Sequence, residues 1–281
     1  MRVSVHICTK NRAGELFGCL VSLWNQTFTD WDLILVDSGQ DVRSWKMVFD
    51  ILMRFKLDGH GVKYLRDDSG KGIGRSRNIA IENDDWNDLC VRVDDDSVMD
   101  KDYIENLQCA YDCLEVECDA QLHKLNRKIG AIGGVVPLLG QPKIYRYLPK
   151  IFNEFKYNET GEDVVIEDDG GCHFYEGREV MGLTESHHLR SSFLFNKKAA
   201  IEVGMHPENL GSSGFREETD FCARLLVGGY KLYTTPLAIC WHVQAQSGGV
   251  RIDRGEYIKQ VNNNTEWLTE RLIKWHKEKK L

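Results

Sequence analysis

Apolar positions in the first hundred residues follow two alternating periods. Val3-Ser4-Val5-His6-Ile7-Cys8 and Trp31-Asp32-Leu33-Ile34-Leu35-Val36-Asp37 read as strands, and between them Leu16, Leu20, Leu23 and Trp24 recur at helical spacing. A second helical stretch covers about 42–56, a strand follows at Val62-Lys63-Tyr64-Leu65, a helix begins near Arg75, and Leu89-Cys90-Val91-Arg92-Val93 reads as a buried strand. Strands alternating with helices predict an α/β fold, a mostly parallel sheet flanked by helices, with loops and ligands gathered at one edge.

After a helix at about 100–117, a strand over 129–136 opens a less regular half. From Pro142 to about His187 the chain is polar, aromatic and turn-rich, and reads as an insertion or lid. Its Tyr145, Tyr147, Phe152, Phe155, Tyr157, Phe174 and Tyr175 suit an aromatic hairpin core better than a sugar-stacking surface. The pattern resumes with a strand over 191–195, a helix at 197–204, a Gly/Ser loop at 211–214, a helix at about 217–228 and strands near 230–242. From Glu256 onward Val261, Leu268, Leu272 and Trp275 form a helical stripe expected to dock on the main body, and the lysines near its end complement a helix C-terminus.

Composition narrows the classes. At 281 residues and 42% hydrophobic, the chain can bury a sizeable core. A net charge of −7 argues against broad capture of nucleic acid. The nine cysteines are scattered and lack metal-site spacing; even Cys113 and Cys118 have no matching pair, so they read as reduced core thiols. Met1-Arg2 leads straight into a strand and no apolar run approaches membrane-spanning length, so the expected compartment is the cytoplasm and no transmembrane segment is expected.

Four segments carry candidate chemistry. Three adjacent carboxylates, Asp94-Asp95-Asp96, end the fourth strand; they repel one another unless something positive sits among them, and oxygen ligands suit a hard cation such as Mg²⁺ or Mn²⁺. The competing reading is a solvated acidic turn with Asp100 as a helix cap. Thr9-Lys10-Asn11-Arg12 leaves the first strand as a polar loop. Gly70-Lys71-Gly72-Ile73-Gly74-Arg75-Ser76-Arg77-Asn78 runs alternating glycines and three cations into a helix, a setting for a diphosphate or for a flexible turn. Finally, Glu217 and Glu218 open a helix as candidate proton acceptors, and His242 follows a strand as a candidate metal ligand.

Taken in order, these segments resemble a family 2 glycosyltransferase with the GT-A fold. Thr9-Lys10-Asn11-Arg12 matches the family's first turn, Asn25-Gln26-Thr27 its helix end and Val36-Asp37-Ser38-Gly39 its Val-Asp-Asp-Gly. Ser76-Arg77-Asn78 matches Ala-Arg-Asn, and Asp94-Asp95-Asp96 matches Asp-x-Asp. Arg216-Glu217-Glu218-Thr219-Asp220 stands at the Glu-Asp-x-Asp segment, and Pro236-Leu237-Ala238 with His242 at the last element.

The resemblance implies a GT-A domain over 1–251, with a nucleotide-sugar half at 1–137, an acceptor-side insertion at 138–187 and an acceptor half at 188–251, then a C-terminal helical extension at 252–281. It implies a metal-dependent, inverting hexosyl transfer from a nucleotide-sugar donor, a UDP-sugar favoured, to a hydroxyl acceptor on a glycan, lipid, protein or nucleic-acid base. Thr9, Asn11, Arg12, Asp37, Ser38, Lys71, Gly72, Arg75, Arg77, Asp94 and Asp95 would contact the donor, Asp96 and His242 would hold Mn²⁺ or Mg²⁺, and Glu218, with Glu217 beside it, would be the base. Ser38 departs from the family's second acid. A sugar nucleotidyltransferase should carry a Gly-rich loop after its first strand, where this chain's Thr9–Gly14 loop has one glycine. A non-catalytic carbohydrate-binding module would have lost the acids.

Overall fold

The computed structural model describes residues 1–40, 45–120, 128–137, 164–166, 172–174, 182–249 and 252–278. Most of the expected insertion, with the aromatic side chains named in it, lies outside the described residues. The chain opens with β1 (Val3–Thr9), α1 (Ala13–Trp24), β2 (Trp31–Asp37), α2 (Lys46–Leu57), β3 (Val62–Arg66), α3 (Ile73–Glu82) and β4 (Leu89–Asp94). It continues with β5 (Ser97–Met99), α4 (Tyr103–Ala120), β6 (Lys128–Val135), β7 (Val164–Ile166), β8 (Cys172–Phe174), β9 (Thr184–Ser186) and β10 (Phe193–Asn196). The last elements are α5 (Lys197–Glu202), α6 (Glu217–Val227), β11 (Tyr230–His242) and α7 (Arg254–Lys277).

The main sheet runs β3-β2-β1-β4-β10-β6-β11-β5, with β9 also paired to β11, while β7 and β8 form a separate ribbon. From β3 to β4 it is parallel; β10 then runs antiparallel to both β4 and β6. β1 and β2 are buried along their whole length, as strands covered on both faces must be. One face packs Val5, Ile7, Leu33 and Leu35 against Leu16 and Leu20 of α1, Val48 of α2 and Leu107 of α4. On the other, Phe193 and Phe195 meet Phe221 and Leu225 of α6.

Three details depart from the sequence reading. Trp24, placed on the inward stripe of α1, is 46% exposed and lies under the Arg54 guanidinium. The acidic triplet leads into β5, too short to give a periodic signal, and not straight into a helix. The expected strands near 230–242 are the single strand β11. Among the described residues no helix is long and apolar enough to cross a membrane.

Candidate active site

Parallel register lines up the carboxyl ends of three neighbouring strands. Thr9 of β1 pairs with Asp37 of β2, and Cys8 pairs with Asp94 of β4, so Thr9, Asp37 and Asp94 stand at one edge of the sheet. The chain then folds back: β5 runs antiparallel to β11 with Ser97 opposite His242, and Val243 N–H donates to the Asp96 carbonyl at 2.8 Å. This return sets His242 Nε2 3.3 Å from Asp96 Oδ1, joining residues 146 positions apart in sequence (242 − 96).

The positive charge that the triplet requires comes partly from the protein. Arg77 Nη2 donates to Asp94 at 2.8 Å, and Arg12 Nη1 reaches Asp95 at 2.9 Å and Asp96 at 3.3 Å. Thr9 Oγ1 donates to the other Asp95 oxygen at 2.8 Å. Thr9, Arg12 and Asp95 are all buried and engaged with one another, which gives each of them a structural role at this edge. Burial pushes the Asp95 carboxyl up to about 6 against the pull of Arg12 and Thr9. For Asp96, burial is outweighed by His242 and Arg12, which hold the carboxyl below its ordinary value. Asp96 Oδ2 also accepts the Ala245 amide at 3.0 Å, so Oδ1 is the oxygen turned towards His242.

Asp37 is held by Tyr64 Oη at 2.9 Å, by the Gly39 amide at 2.7 Å and by Arg66, two side-chain partners from β3 that sequence reasoning missed. Asn11, left-handed at φ 55°, accepts the Gln40 amide at 2.9 Å, and Ser38 N–H donates to the Thr9 carbonyl at 3.0 Å. The glycines at 72 and 74 also answer to close packing against a neighbouring segment. A Cβ on Gly72, whose φ is 91°, would overlap the Gly211 carbonyl oxygen, and one on Gly74 would overlap that of Pro207. Lys71 and Arg75 both reach Glu208 at 3.3 Å, and Arg75 also pairs with Glu82. The Gly72 loop is thus a packing joint to the segment after α5. Arg77 is the cation that reaches the strand edge.

Glu217 and Glu218 part company at the start of α6. Glu217 is buried between Arg92 at 2.9 Å, Arg77 at 3.2 Å and His206. Burial would raise its carboxyl, but these neighbours hold it well below the usual range. Glu217 is thus held as a charged anchor at the start of α6. Glu218 keeps 29% of its side chain exposed and lies 3.8 Å from Arg92. Burial, then the charge of Glu217, raise its carboxyl, and Asp94 adds to the rise. Arg92 and His206 were missed; an arginine inside the apolar run Val91-Arg92-Val93 was the available signal.

Spacing also brings His6, Asp84 and Cys90 close enough to share a cation. Asp84 there accepts from Ser4 at 2.9 Å, the Trp86 amide at 3.1 Å and Cys90 at 3.2 Å, with His6 at 3.0 Å and the Lys197 ammonium 3.8 Å away. A full donor set and a resident positive charge make it a hydrogen-bonded knot.

Comparison with known proteins bears on the fold. Residues 4–116 match the family model described as Glycosyl transferase family 2. No curated protein matches the sequence. Among solved structures, S. aureus TarS (residues 1–349) in complex with UDP-GlcNAc superposes with a TM-score of 0.60 at 13% identity, over 92% of this chain and 64% of that one. GalNAc-T7 with UDP, GalNAc and Mn²⁺ gives 0.62 at 15% identity, over 89% and 45%. The mannosyltransferase PcManGT from Pyrobaculum calidifontis, in complex with GDP-Man and Mn²⁺, gives 0.56 at 15% identity, over 88% and 58%. The chain thus spans less than two thirds of the length of each of these structures. The fold is that of the GT-A glycosyltransferases, with residues 4–116 matching the family 2 model.

Proposed function

We propose that the chain transfers a hexose from a nucleoside-diphosphate sugar, a UDP-sugar in the first instance, to a hydroxyl acceptor with inversion at the anomeric carbon. The observation that carries this reading is the division of labour at the start of α6. A buried, charged Glu217 fixes the helix, while a reachable Glu218 with a raised carboxyl shares the field of Asp94 and Arg77 at the ligand edge of the sheet. The matched family model and neighbours bound to UDP-GlcNAc and GDP-Man support a nucleotide sugar as donor.

Glu218 takes the proton of the acceptor hydroxyl as its oxygen bonds to the anomeric carbon. The bond from that carbon to the diphosphate breaks on the opposite face, and the diphosphate leaves with the electron pair. Arg77 offers positive charge near Asp94, where negative charge grows. Asp96 and His242, one carboxylate and one imidazole 3.3 Å apart, are the residues that would hold a divalent cation here. Bound there, Mn²⁺ or Mg²⁺ would supply charge to the leaving group.

The experiment is a screen of nucleotide-sugar binding and hydrolysis with and without Mn²⁺, in wild type and Glu218→Gln. The variant is expected to lose turnover by about 10²–10⁴-fold while calorimetric donor affinity holds. Wild-type turnover in Glu218→Gln would refute the base assignment.

A further inference from the structure

The helix α7 lies beyond the residues matched by the family model. Its apolar anchors are Leu268 and Leu272 on Ala223 of α6. Its polar side chains do something separate. Asn264 is buried, and its Nδ2 donates to the Leu210 carbonyl at 2.9 Å and the Phe215 carbonyl at 3.0 Å. Those carbonyls are the two ends of the loop that leads into α6, so one amide nitrogen staples the loop closed. One turn earlier, Gln260 Oε1 accepts the Ser213 amide at 3.0 Å and Nε2 donates to Ser212 Oγ at 3.4 Å. Arg216 Nε donates to Thr265 Oγ1 at 3.4 Å.

The loop is wedged. Gly211 and Gly214 have φ of 69° and 60°, and Arg216, which caps α6, is left-handed at φ 75°, a conformation costly for a residue with a long side chain. Opposite α7, a Cβ on Gly72 would strike the Gly211 carbonyl and one on Gly214 would strike Ile73, so the first turn of α3 closes the other side. Glu217 and Glu218 follow directly. A strained cap persists only where its surroundings over-determine it.

We infer that Asn264, assisted by Gln260, is a positioning residue: through the 210–216 loop it fixes where Glu218 presents its carboxylate to the acceptor. This rests on Glu218 being the base. Leu268 and Leu272 anchor α7 on Ala223 apart from the hydrogen bonds of Asn264, so anchoring and stapling can be separated by mutation.

The test uses the full chain with Asn264→Ala, Asn264→Asp, Gln260→Ala, Glu218→Gln and a control at exposed Asn263, Asn263→Ala. Turnover is read as release of nucleoside diphosphate from UDP-GlcNAc in Mn²⁺, and donor affinity by calorimetry. Asn264→Ala is expected to lower kcat roughly a hundredfold with donor affinity unchanged. Asn264→Asp, equal in shape but unable to donate to both carbonyls, does not rescue it. Glu218 is faced by Glu217 on its own helix, Arg92 and Asp94 of β4, and Arg77 of α3. Loosening the loop exposes it, so the acid limb of the kcat profile moves to lower pH, while Asn263→Ala leaves both readouts alone. Wild-type kcat with an unmoved limb in Asn264→Ala overturns the proposal, as does a loss matched by an equal loss of donor affinity. If Asn264→Ala fails to fold, Gln260→Ala decides by the same two readouts. Activity in Glu218→Gln refutes the base assignment itself, whereas an inactive Glu218→Gln beside an intact Asn264→Ala refutes positioning alone.

Discussion

A carboxylate enclosed by two guanidinium groups stays charged, and a second one beside it is pushed towards its acid form. Glu217 and Glu218 show both effects one residue apart. In the acidic triplet burial decides instead: Asp95, turned inward to Thr9 and Arg12, is raised to about 6, while Asp96, sharing its edge with His242, is lowered. Asp96→Ala and His242→Ala are therefore expected to abolish the Mn²⁺-dependent part of donor binding; calorimetric titration with and without the metal checks this, and an unchanged metal increment removes the pair from the site. Residue types at the site were legible in the sequence because strand ends in an α/β sheet are forced to one edge. Which neighbour each carboxylate turns to was not, since Arg12, Arg92 and His206 reach their partners only through tertiary folding. Arg12, for example, reaches Asp95 and Asp96 across the fold.

At the scale of elements, helices and strands with a full period were readable, from β1 to the stripe of α7. β5 was invisible because three residues carry no period, and its identity comes from pairing with β11. The antiparallel sense of β10 was equally hidden, because the direction of a strand depends on the path of its connections. At 72 and 74 the glycines before α3 make room for the backbone of the 207–212 segment, a tertiary contact that the sequence pattern does not reveal. Gly72→Ala combines a φ of 91° with that overlap. It is expected to destabilise the fold by about 1–3 kcal/mol and to lower turnover, by chemical denaturation and donor hydrolysis respectively. Unchanged stability would show that the loop yields.

For the molecule as a whole, the buried ionic group around Glu217 ties stability to pH. Burial lowers His206 from 6.5 to about 4, although Glu217 opposes the shift, so the folded protein keeps it neutral where the unfolded chain would bind a proton. A folded value below the unfolded one gives stability that is present above pH 6.5 and is lost as pH falls towards 4. The free-energy difference between wild type and His206→Asn should accordingly grow with pH over that window and level off above it. Urea unfolding of both proteins at several pH values measures it, and groups of opposite sign such as Asp95, raised to about 6, cancel in the difference.

Arg92 has a consequence for how such chains can be rearranged. It sits in the core on β4, inside the residues matched by the family model, yet its countercharge Glu217 lies a hundred residues past their end, and β4 is covered by β10 from the same distant half. Cut off on its own, the first half would keep an unneutralised guanidinium and an open strand edge. A chimera built by exchanging the first half between chains of this fold would inherit one member of this pair without the other. Graft boundaries here must be drawn by charge partnership, with Arg92 and Glu217 moving together.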